Sequence, residues 1–218
     1  MLREFRIESV LGIGGFGVTY RATDCSLDRL VAVKEYFPIE LCLRTARSEV
    51  KPTSHESEAT FKWGLERFVD EAQTLAKLTH PNIVRVYSVL EANATAYFVM
   101  PYEPGKPLSS LVRSGRMDAA STQGILDELL DGLDYVHQAG YVHRDLKPDN
   151  VLIREDGSPL LIDFGSARIR TVHHAKNHYT AVVSAGFAPF EQYQGDARLH
   201  GPWIDVSDRL YGAIACSP

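Results

Sequence analysis

The sequence has few of the features that mark secreted, membrane or nucleic-acid-binding proteins. Its 218 residues include only three cysteines, Cys25, Cys42 and Cys216, and their scatter fits neither a disulfide framework nor a metal-ligand motif. No apolar run approaches the roughly 20 residues that span a bilayer. No apolar signal core follows Arg3 and Glu4. A net charge of −5 argues against a basic nucleic-acid surface. These absences predict a cytoplasmic chain with no membrane segment and no nucleic-acid partner.

Short β-branched segments broken by glycine dominate the first part of the chain. They predict strands over Phe5–Leu11, Val18–Thr23 and Leu30–Lys34, with a glycine turn over Gly12–Gly17. Glycine N–H groups can approach phosphate oxygens closely because no side chain intervenes. A dinucleotide-binding fold would need a helix after these glycines, whereas the sequence alternates like a strand. An ordinary glycine-rich turn remains the alternative.

Residues 35–60 interrupt this pattern. Pro38, Pro52 and the polar run 51–58 predict an exposed insertion whose role does not follow from the sequence. Apolar residues then recur at steps of three or four, which predicts the buried face of an amphipathic helix. That face consists of Phe61, Leu65, Phe68, Ala72, Leu75 and Leu78.

The second part of the chain is richer in helix. The first part ends with a strand pair predicted over Ile83–Leu90 and Thr95–Met100, and a linker predicted at residues 104–107 leads into the second part. The longest helix is predicted over Ala119–Gln138, with Gly140 placed for a left-handed cap.

A hairpin is predicted where Val151–Ile153 and Leu160–Ile162 flank an Asp-Gly dipeptide. The chain as a whole therefore predicts an α+β fold of two lobes, residues 1–103 and residues 104–218, with a cleft between them.

Lys34 closes the third strand directly after the apolar run Val31–Val33. An ammonium on the buried side of a strand needs a carboxylate partner, and the amphipathic helix offers Glu71. A lysine that only marks the end of a strand is the alternative interpretation.

The most specific motif is His143–Asn150, which reads His-Arg-Asp-Leu-Lys-Pro-Asp-Asn and is followed by Asp163–Gly165, or Asp-Phe-Gly. Phosphoryl transfer needs a carboxylate that orients the incoming hydroxyl and oxygen ligands for Mg²⁺. Asp145, Asn150 and Asp163 are residues of these types. Their pattern predicts a phosphotransferase.

The sequence resembles the eukaryotic-like Ser/Thr protein kinase family over about residues 5–206. The resemblance rests on the order of the motifs: the glycine loop, the Val-Ala-Val-Lys strand, the helix glutamate and the two later motifs. Three segments resemble a bacterial subgroup of this family: Lys34–Pro38 with the insertion that follows it, Val99–Glu103 and Phe187–Tyr193. The resemblance implies a bilobal protein-kinase-like fold, with one main helix in a β-rich N-lobe and a mostly helical, incomplete C-lobe. It also implies ATP and Mg²⁺ as cofactors and serine or threonine hydroxyls of proteins as acceptors, with self-phosphorylation possible. Lys147 matches the Ser/Thr form of the catalytic loop.

The resemblance carries roles over position by position. The implied catalytic residues are Asp145 (base), Lys147 (contact with the γ-phosphate), Lys34 (contact with the α- and β-phosphates) and Glu71 (partner of Lys34), and the implied Mg²⁺ ligands are Asn150 and Asp163. The implied ATP-binding residues are Gly12, Ile13, Gly14, Gly15, Phe16, Gly17, Val18, Ala32, Lys34, Met100, Pro101, Glu103 and Leu152. Pro101 keeps the carbonyl and Glu103 the N–H that the family uses for adenine.

The segment after residue 165 resembles the activation segment of the family. Thr171 and Thr180 are its candidate phosphorylation sites, and Ser184 matches the hydroxyl that bridges to the catalytic loop. His143 is expected to pack structurally, and Arg144 to receive a phosphate.

Two late features fit the family less well. His174 and His178 are four residues apart, but their polar loop setting disfavours a metal site. Residues 207–218 do not continue the helix that Asp205 should open, so a truncated C-lobe of low stability is expected, in which Glu191 lacks its arginine partner. An inactive nucleotide-binding fragment or pseudokinase-like interaction module is therefore the alternative function.

Overall fold

The structure is a computed structural model that describes residues 2–115, 117–143, 145–164 and 168–169. The chain divides into two compact units. Of the described residues, the first unit contains those up to 79 and those from 85 to 103, and the second contains those from 80 to 84 and those from 104 onward. Among the described helices, none combines the length and apolar character that crossing a membrane requires.

The first unit is built on a five-stranded antiparallel sheet in the order β1-β2-β3-β7-β6, beside a separate β4–β5 hairpin. The strands are β1 (Phe5–Gly14), β2 (Gly17–Asp24), β3 (Arg29–Tyr36), β4 (Cys42–Arg44), β5 (Val50–Pro52), β6 (Ser88–Ala92) and β7 (Thr95–Pro101), and the helix is α1 (His55–Leu75). This confirms a β-rich unit with one main helix.

The two faces of the central strand β3 have different partners, because successive side chains of a strand point to opposite faces. Lys34 and Tyr36 contact residues of α1. Val33 belongs instead to the apolar cluster on the other face, and Glu35 bonds to side chains there. The members of that cluster are Leu2, Phe5, Ala22, Val31, Val33, Leu90, Tyr97 and Val99.

The glycine turn is shorter than the sequence predicts. β1 continues to Gly14, β2 begins at Gly17, and only Gly15 and Phe16 form the turn. The glycines at positions 12 and 14 can therefore still pair with β2 through their backbone, which a prediction based on glycine content overlooks.

The expectation of an exposed insertion over residues 35–60 holds only in part: most of the polar run 51–58 is exposed, but the segment also has regular structure and buried residues. The segment holds the β4–β5 hairpin, with Cys42 and Val50 buried, and α1 already begins at His55. Ser54 caps that helix, because its side chain accepts a hydrogen bond from the backbone N–H of Ser57. The polar run that suggested a loop is in part a helix start, where capping residues and acidic side chains are favoured.

The described residues of the second unit form two α-helices, a short 3-10 helix and two small antiparallel sheets, β8-β10-β11 and β9-β12. Its elements are β8 (Gly105–Pro107), α2 (Leu108–Arg113), α3 (Ala119–Gln138), β9 (Tyr141–Val142), a 3-10 helix (Pro148–Asn150), β10 (Val151–Arg154), β11 (Pro159–Leu161) and β12 (Arg168–Ile169). The predicted bounds of α3 are confirmed, with Gly140 at φ +85° after its last turn. The predicted linker at residues 104–107 instead contains a short strand.

Residues 80–84 pack with the second unit, so the strand predicted over Ile83–Leu90 is too long. Asn82 Nδ2 donates to Glu128 Oε2 on α3 (3.0 Å) and to the carbonyl of Pro159 (2.9 Å). The N–H of Val84 donates to the carbonyl of Leu161 at 2.9 Å. Because residues 80–84 make these long-range bonds, they are not part of β6, which begins only at Ser88.

Candidate active site

Lys34 and Glu71 meet within the first unit. Lys34 Nζ lies 3.3 Å from Glu71 Oε1, with side-chain exposures of 13% and 5%. The ammonium also lies 5.3 Å from the ring centre of Phe98 and 5.9 Å from that of Phe68. Aromatic faces and a carboxylate both attract an ammonium group, so these neighbours hold the Lys34 side chain in place. The structure thus brings together the predicted lysine and its helix partner.

The four glycines of the segment Gly12–Gly17 differ in the space around them. A Cβ at Gly17 would lie 2.1 Å from the carbonyl oxygen of Glu35 on the neighbouring strand. At Gly12 and Gly15 a Cβ would meet nothing within 4 Å, and at Gly14 its one near neighbour is 3.9 Å away. Gly17 is therefore required by the sheet, whereas the other three leave an open backbone that a phosphate can approach.

Alanine at Gly17 and alanine at Gly15 should have opposite consequences. Gly17→Ala should lower the free energy of unfolding by about 1–3 kcal/mol, because the strands must separate to admit the methyl group. Gly15→Ala should leave stability within about 0.5 kcal/mol but weaken ATP binding. Urea titration and ATP binding measured on both variants check this. Equal stability of the two variants would contradict the assignment.

Three buried residues of the first unit that are predicted to bind ATP lie on adjacent strands. Val18 and Ala32 are 8% and 5% exposed, and Met100 is 7% exposed and pairs with Ala32 across β3 and β7. Pro101 ends β7, and Glu103 follows it. Ile13 and Phe16 are exposed, at 67% and 55%.

Three polar residues of the catalytic motif converge within the second unit. Lys147 Nζ lies 2.9 Å from Asp145 Oδ2. Asn150 Nδ2 donates to the same oxygen at 3.0 Å and to the Asp145 carbonyl at 2.8 Å. Two donors on one carboxylate oxygen fix the direction in which the carboxylate points. The amide of Asn150 is oriented by the same bonds, so its oxygen is the atom that can ligate a cation.

The β10–β11 hairpin places Asp163 close in the fold to Asn150. The N–H of Ile162 donates to the Asn150 carbonyl at 3.0 Å, and Asp163 follows directly. Leu152 lies on β10, opposite Leu160 of β11 and Pro107 of β8. The predicted hairpin is confirmed, with its turn glycine, Gly157, at φ +90°.

His143 is a buried, neutral support of this loop. It is 2% exposed, its Nδ1 accepts a hydrogen bond from the N–H of Asp145 at 3.2 Å, and its ring meets that of Phe164 edge to face at 4.5 Å. Burial lowers the pKa of His143 to about 4, although the charges of Asp163 and Asp145 act in the opposite direction. The ring is therefore uncharged near neutral pH, with its single N–H on Nε2 because Nδ1 acts as an acceptor.

The remaining predicted residues lie outside the described part of the chain. These are Arg144, Gly165, Thr171, Thr180, Ser184, Glu191, Asp205 and the two histidines His174 and His178. Among the described residues, no group of three or more histidine, cysteine, aspartate or glutamate side chains is arranged to hold a metal ion.

Sequence reasoning missed the polar residues that surround the Lys34 strand. Glu35 is only 1% exposed and lies 2.6 Å from Arg44 in the insertion. Tyr36 bonds to α1 through its hydroxyl. Strand alternation was the available signal, since it puts residues 34 and 35 on opposite faces and makes Glu35 a buried charge that needs partners.

Together, the β-rich unit with its Lys–Glu pair and the second unit with its polar loop and hairpin define a protein-kinase-like fold. A solved structure titled "PpkA-294 apo form" matches 99% of this chain and 76% of its own at 34% identity, with a TM-score of 0.84. Residues 5–206 match the protein kinase domain family. The chain belongs to that family.

Curated relatives specify the branch of the family. Serine/threonine-protein kinase PknK of Mycobacterium tuberculosis is 38% identical over 162 residues, which cover 73% of this chain and 13% of the relative. A probable serine/threonine-protein kinase of Streptomyces coelicolor is 32% identical over 212 residues, covering 95% of this chain and 28% of the relative. The resemblance to bacterial Ser/Thr kinases is confirmed, and the chain spans less than a third of the length of these two relatives.

Proposed function

We propose that this chain transfers the γ-phosphoryl group of ATP to serine or threonine hydroxyls of proteins. The observation that carries the proposal is the convergence of Lys147 and Asn150 on Asp145. A carboxylate held in this way can orient a hydroxyl and accept its proton, and the neighbouring ammonium can stabilise charge on the phosphoryl oxygens. The contacts of Asp145 with Lys147 and Asn150 do not favour the alternative, an inactive nucleotide-binding or interaction module.

The phosphate-binding role falls to the first unit. Lys34 would contact the α- and β-phosphates, with Glu71 fixing the direction of the ammonium. The open backbone at Gly12, Gly14 and Gly15 would donate N–H groups to phosphate oxygens. Val18, Ala32 and Met100 would pack on adenine, with the carbonyl of Pro101 and the N–H of Glu103 at its polar edge. Leu152 of the second unit is a further proposed ATP-binding residue. Ile13 at the end of β1 and Phe16 in the turn would cover the phosphates.

The protein kinase family generally uses ATP with Mg²⁺, and the residues present fit that ion. The Asn150 amide oxygen and the Asp163 carboxylate are hard oxygen donors of the kind that Mg²⁺ prefers, and the bond between Ile162 and Asn150 holds the two residues at one end of a hairpin. The ion would neutralise charge on the triphosphate.

The nature of the acceptor follows from the loop and from the relatives. Lys147 is the Ser/Thr form of this motif, and the relatives above are named as serine/threonine kinases. We propose protein substrates, with Thr171 and Thr180 as sites of self-phosphorylation. The described cysteines Cys25 and Cys42 are free thiols, as a cytoplasmic location would favour.

Binding of Mg·ATP is the first requirement of this proposal. ATP with Mg²⁺ should raise the melting temperature, because a ligand of the native state stabilises it, by about 2.7 kcal/mol at a hundredfold excess over Kd. Asp163→Asn should remove most of the Mg²⁺-dependent part of the shift. Asp149→Asn, an exposed carboxylate of the same loop, is the matched control and should keep the full shift. Equal shifts with and without Mg²⁺ in the wild type would refute the metal assignment.

A further inference from the structure

We propose that residues 36–54, which lie within the insertion at residues 35–60, form a brace. This brace holds α1 in the position where Glu71 contacts Lys34. The proposal rests on the proposed kinase function only for its catalytic consequence. The brace is defined by contacts within the first unit. It would make the insertion a positioning element for the catalytic lysine.

The Lys34–Glu71 contact needs support from elsewhere in the fold. Its two members lie on separate elements, β3 and α1, and are 37 positions apart in sequence. A buried ion pair contributes little net stability, because desolvation of both charges offsets their attraction. The pair therefore cannot by itself fix the position of a helix that runs from His55 to Leu75. Other contacts must do so.

The first anchor of the brace is Tyr36, two residues after Lys34 on the same face of β3. Its hydroxyl donates to the carbonyl of Phe61 in α1 at 3.1 Å, and its ring lies 5.2 Å from that of Phe61 and 5.7 Å from that of Phe68. A Cβ at Gly64 would lie 2.1 Å from the hydroxyl oxygen. Gly64 therefore leaves the space that the Tyr36 hydroxyl occupies against α1.

The second anchor ties the insertion to the opposite face of the sheet. The Glu35 carboxylate accepts hydrogen bonds from Tyr20 (2.7 Å), Tyr97 (2.7 Å) and Arg44 (2.6 Å), which lie on β2, β7 and β4. Burial, together with the hydrogen bond to Glu35, raises the pKa of Tyr20, and burial is the main cause that raises the pKa of Tyr97 to about 12. Both hydroxyls stay protonated donors at physiological pH, and Arg44 supplies the positive charge.

Further backbone bonds connect the hairpin to the start of α1. The N–H of Val50 donates to the carbonyl of Asn93 in the β6–β7 turn at 2.7 Å. The N–H of Thr53 donates to the carbonyl of Leu41 at 2.9 Å, one residue before the helix cap. The bond between Thr53 and Leu41 therefore fixes the position at which α1 begins. The brace is attached both to the strand that carries Lys34 and to the helix that carries Glu71.

Arg44→Met tests the brace, with Arg47→Met as the matched control, since Arg47 is an exposed arginine in the turn of the same hairpin. Arg44→Met should lower kcat/KM for ATP about tenfold, a size typical of coupled residues. Arg44→Lys should recover part of the loss, and Arg47→Met should show none. In a Glu71→Gln background, Arg44→Met should have little further effect, because the contact that the brace protects is already lost. Full additivity would indicate a merely structural role.

Hydrogen exchange tests the same proposal without any activity. Arg44→Met and Tyr36→Phe should each speed amide exchange in the first three turns of α1 about tenfold, with β1 and β2 unchanged, because local opening follows the loss of local contacts. If the wild type transfers no phosphate, the kinase proposal fails, but the hydrogen-exchange measurement still tests whether residues 36–54 hold α1. Unchanged exchange in α1 for both folded variants, or exchange that rises throughout the unit, would overturn it.

Discussion

Asp145→Asn is expected to lower kcat for phosphoryl transfer by about 10²–10⁴-fold, the usual contribution of a positioned acid–base group. Asparagine has the size of aspartate, but it can neither accept the hydroxyl proton nor supply negative charge. The contacts of Lys147 and Asn150 with this side chain orient it without carrying that chemistry. Steady-state rates with a Ser/Thr peptide, measured at saturating Mg·ATP, check this expectation.

The control for that variant is Asp127→Asn, an exposed carboxylate on α3, which should keep the wild-type rate. Melting curves of both variants should lie close to that of the wild type, which would separate lost chemistry from lost folding. An Asp145→Asn enzyme within threefold of the wild-type kcat, with unchanged stability, would remove Asp145 from the role of base.

Acidification from pH 7 to pH 4 should cost about 3 kcal/mol of stability through His143 alone. Burial holds the pKa of His143 at about 4 in the folded state, against 6.5 for an ordinary histidine. Between these values the unfolded chain binds the proton and the folded chain does not, so stability rises with pH across this window. The contribution is complete above about pH 6.5 and is lost as the pH falls towards 4, at about 1.4 kcal/mol per pH unit.

The measurement is urea unfolding at several pH values for the wild type and for His143→Gln, which keeps a hydrogen-bond acceptor but does not titrate. Carboxylates that do not interact with His143 contribute equally to both proteins, so the difference between the two pH profiles reports His143 together with its coupling to Asp145 and Asp163. His55→Gln, an almost fully exposed histidine, should follow the wild type. Parallel profiles for the wild type and His143→Gln would show that the ring titrates normally.

The elements that sequence predicted well are those encoded by local patterns. The period of α3, the cap at Gly140 and the turn at Gly157 each depend on a few neighbouring residues, and the structure confirms them. The pairing of Lys34 with Glu71 was also predictable, because a lysine at the end of an apolar strand needs a carboxylate and the amphipathic helix offers one.

The elements that sequence missed depend on contacts between distant residues. The Glu35 carboxylate obtains donors 15, 62 and 9 positions away, and no local pattern distinguishes these tyrosines from ordinary strand residues. Residues 80–84 leave the β-rich unit because Asn82 bonds to α3 and to Pro159. The polar composition of residues 35–60 predicts an exposed insertion but not its hairpin or the start of α1, because composition shows polarity and not the partners that make a polar residue part of the fold.

The central claim is phosphoryl transfer to serine and threonine. Incubation of the protein with Mg·ATP labelled in the γ-phosphate, and with a mixed-sequence peptide substrate, followed by phosphoamino-acid analysis, tests it most directly. The account predicts label on phosphoserine and phosphothreonine that depends on Mg²⁺ and disappears with Asp145→Asn. Label mainly on phosphotyrosine, or none above that of the Asp145→Asn protein, would contradict it.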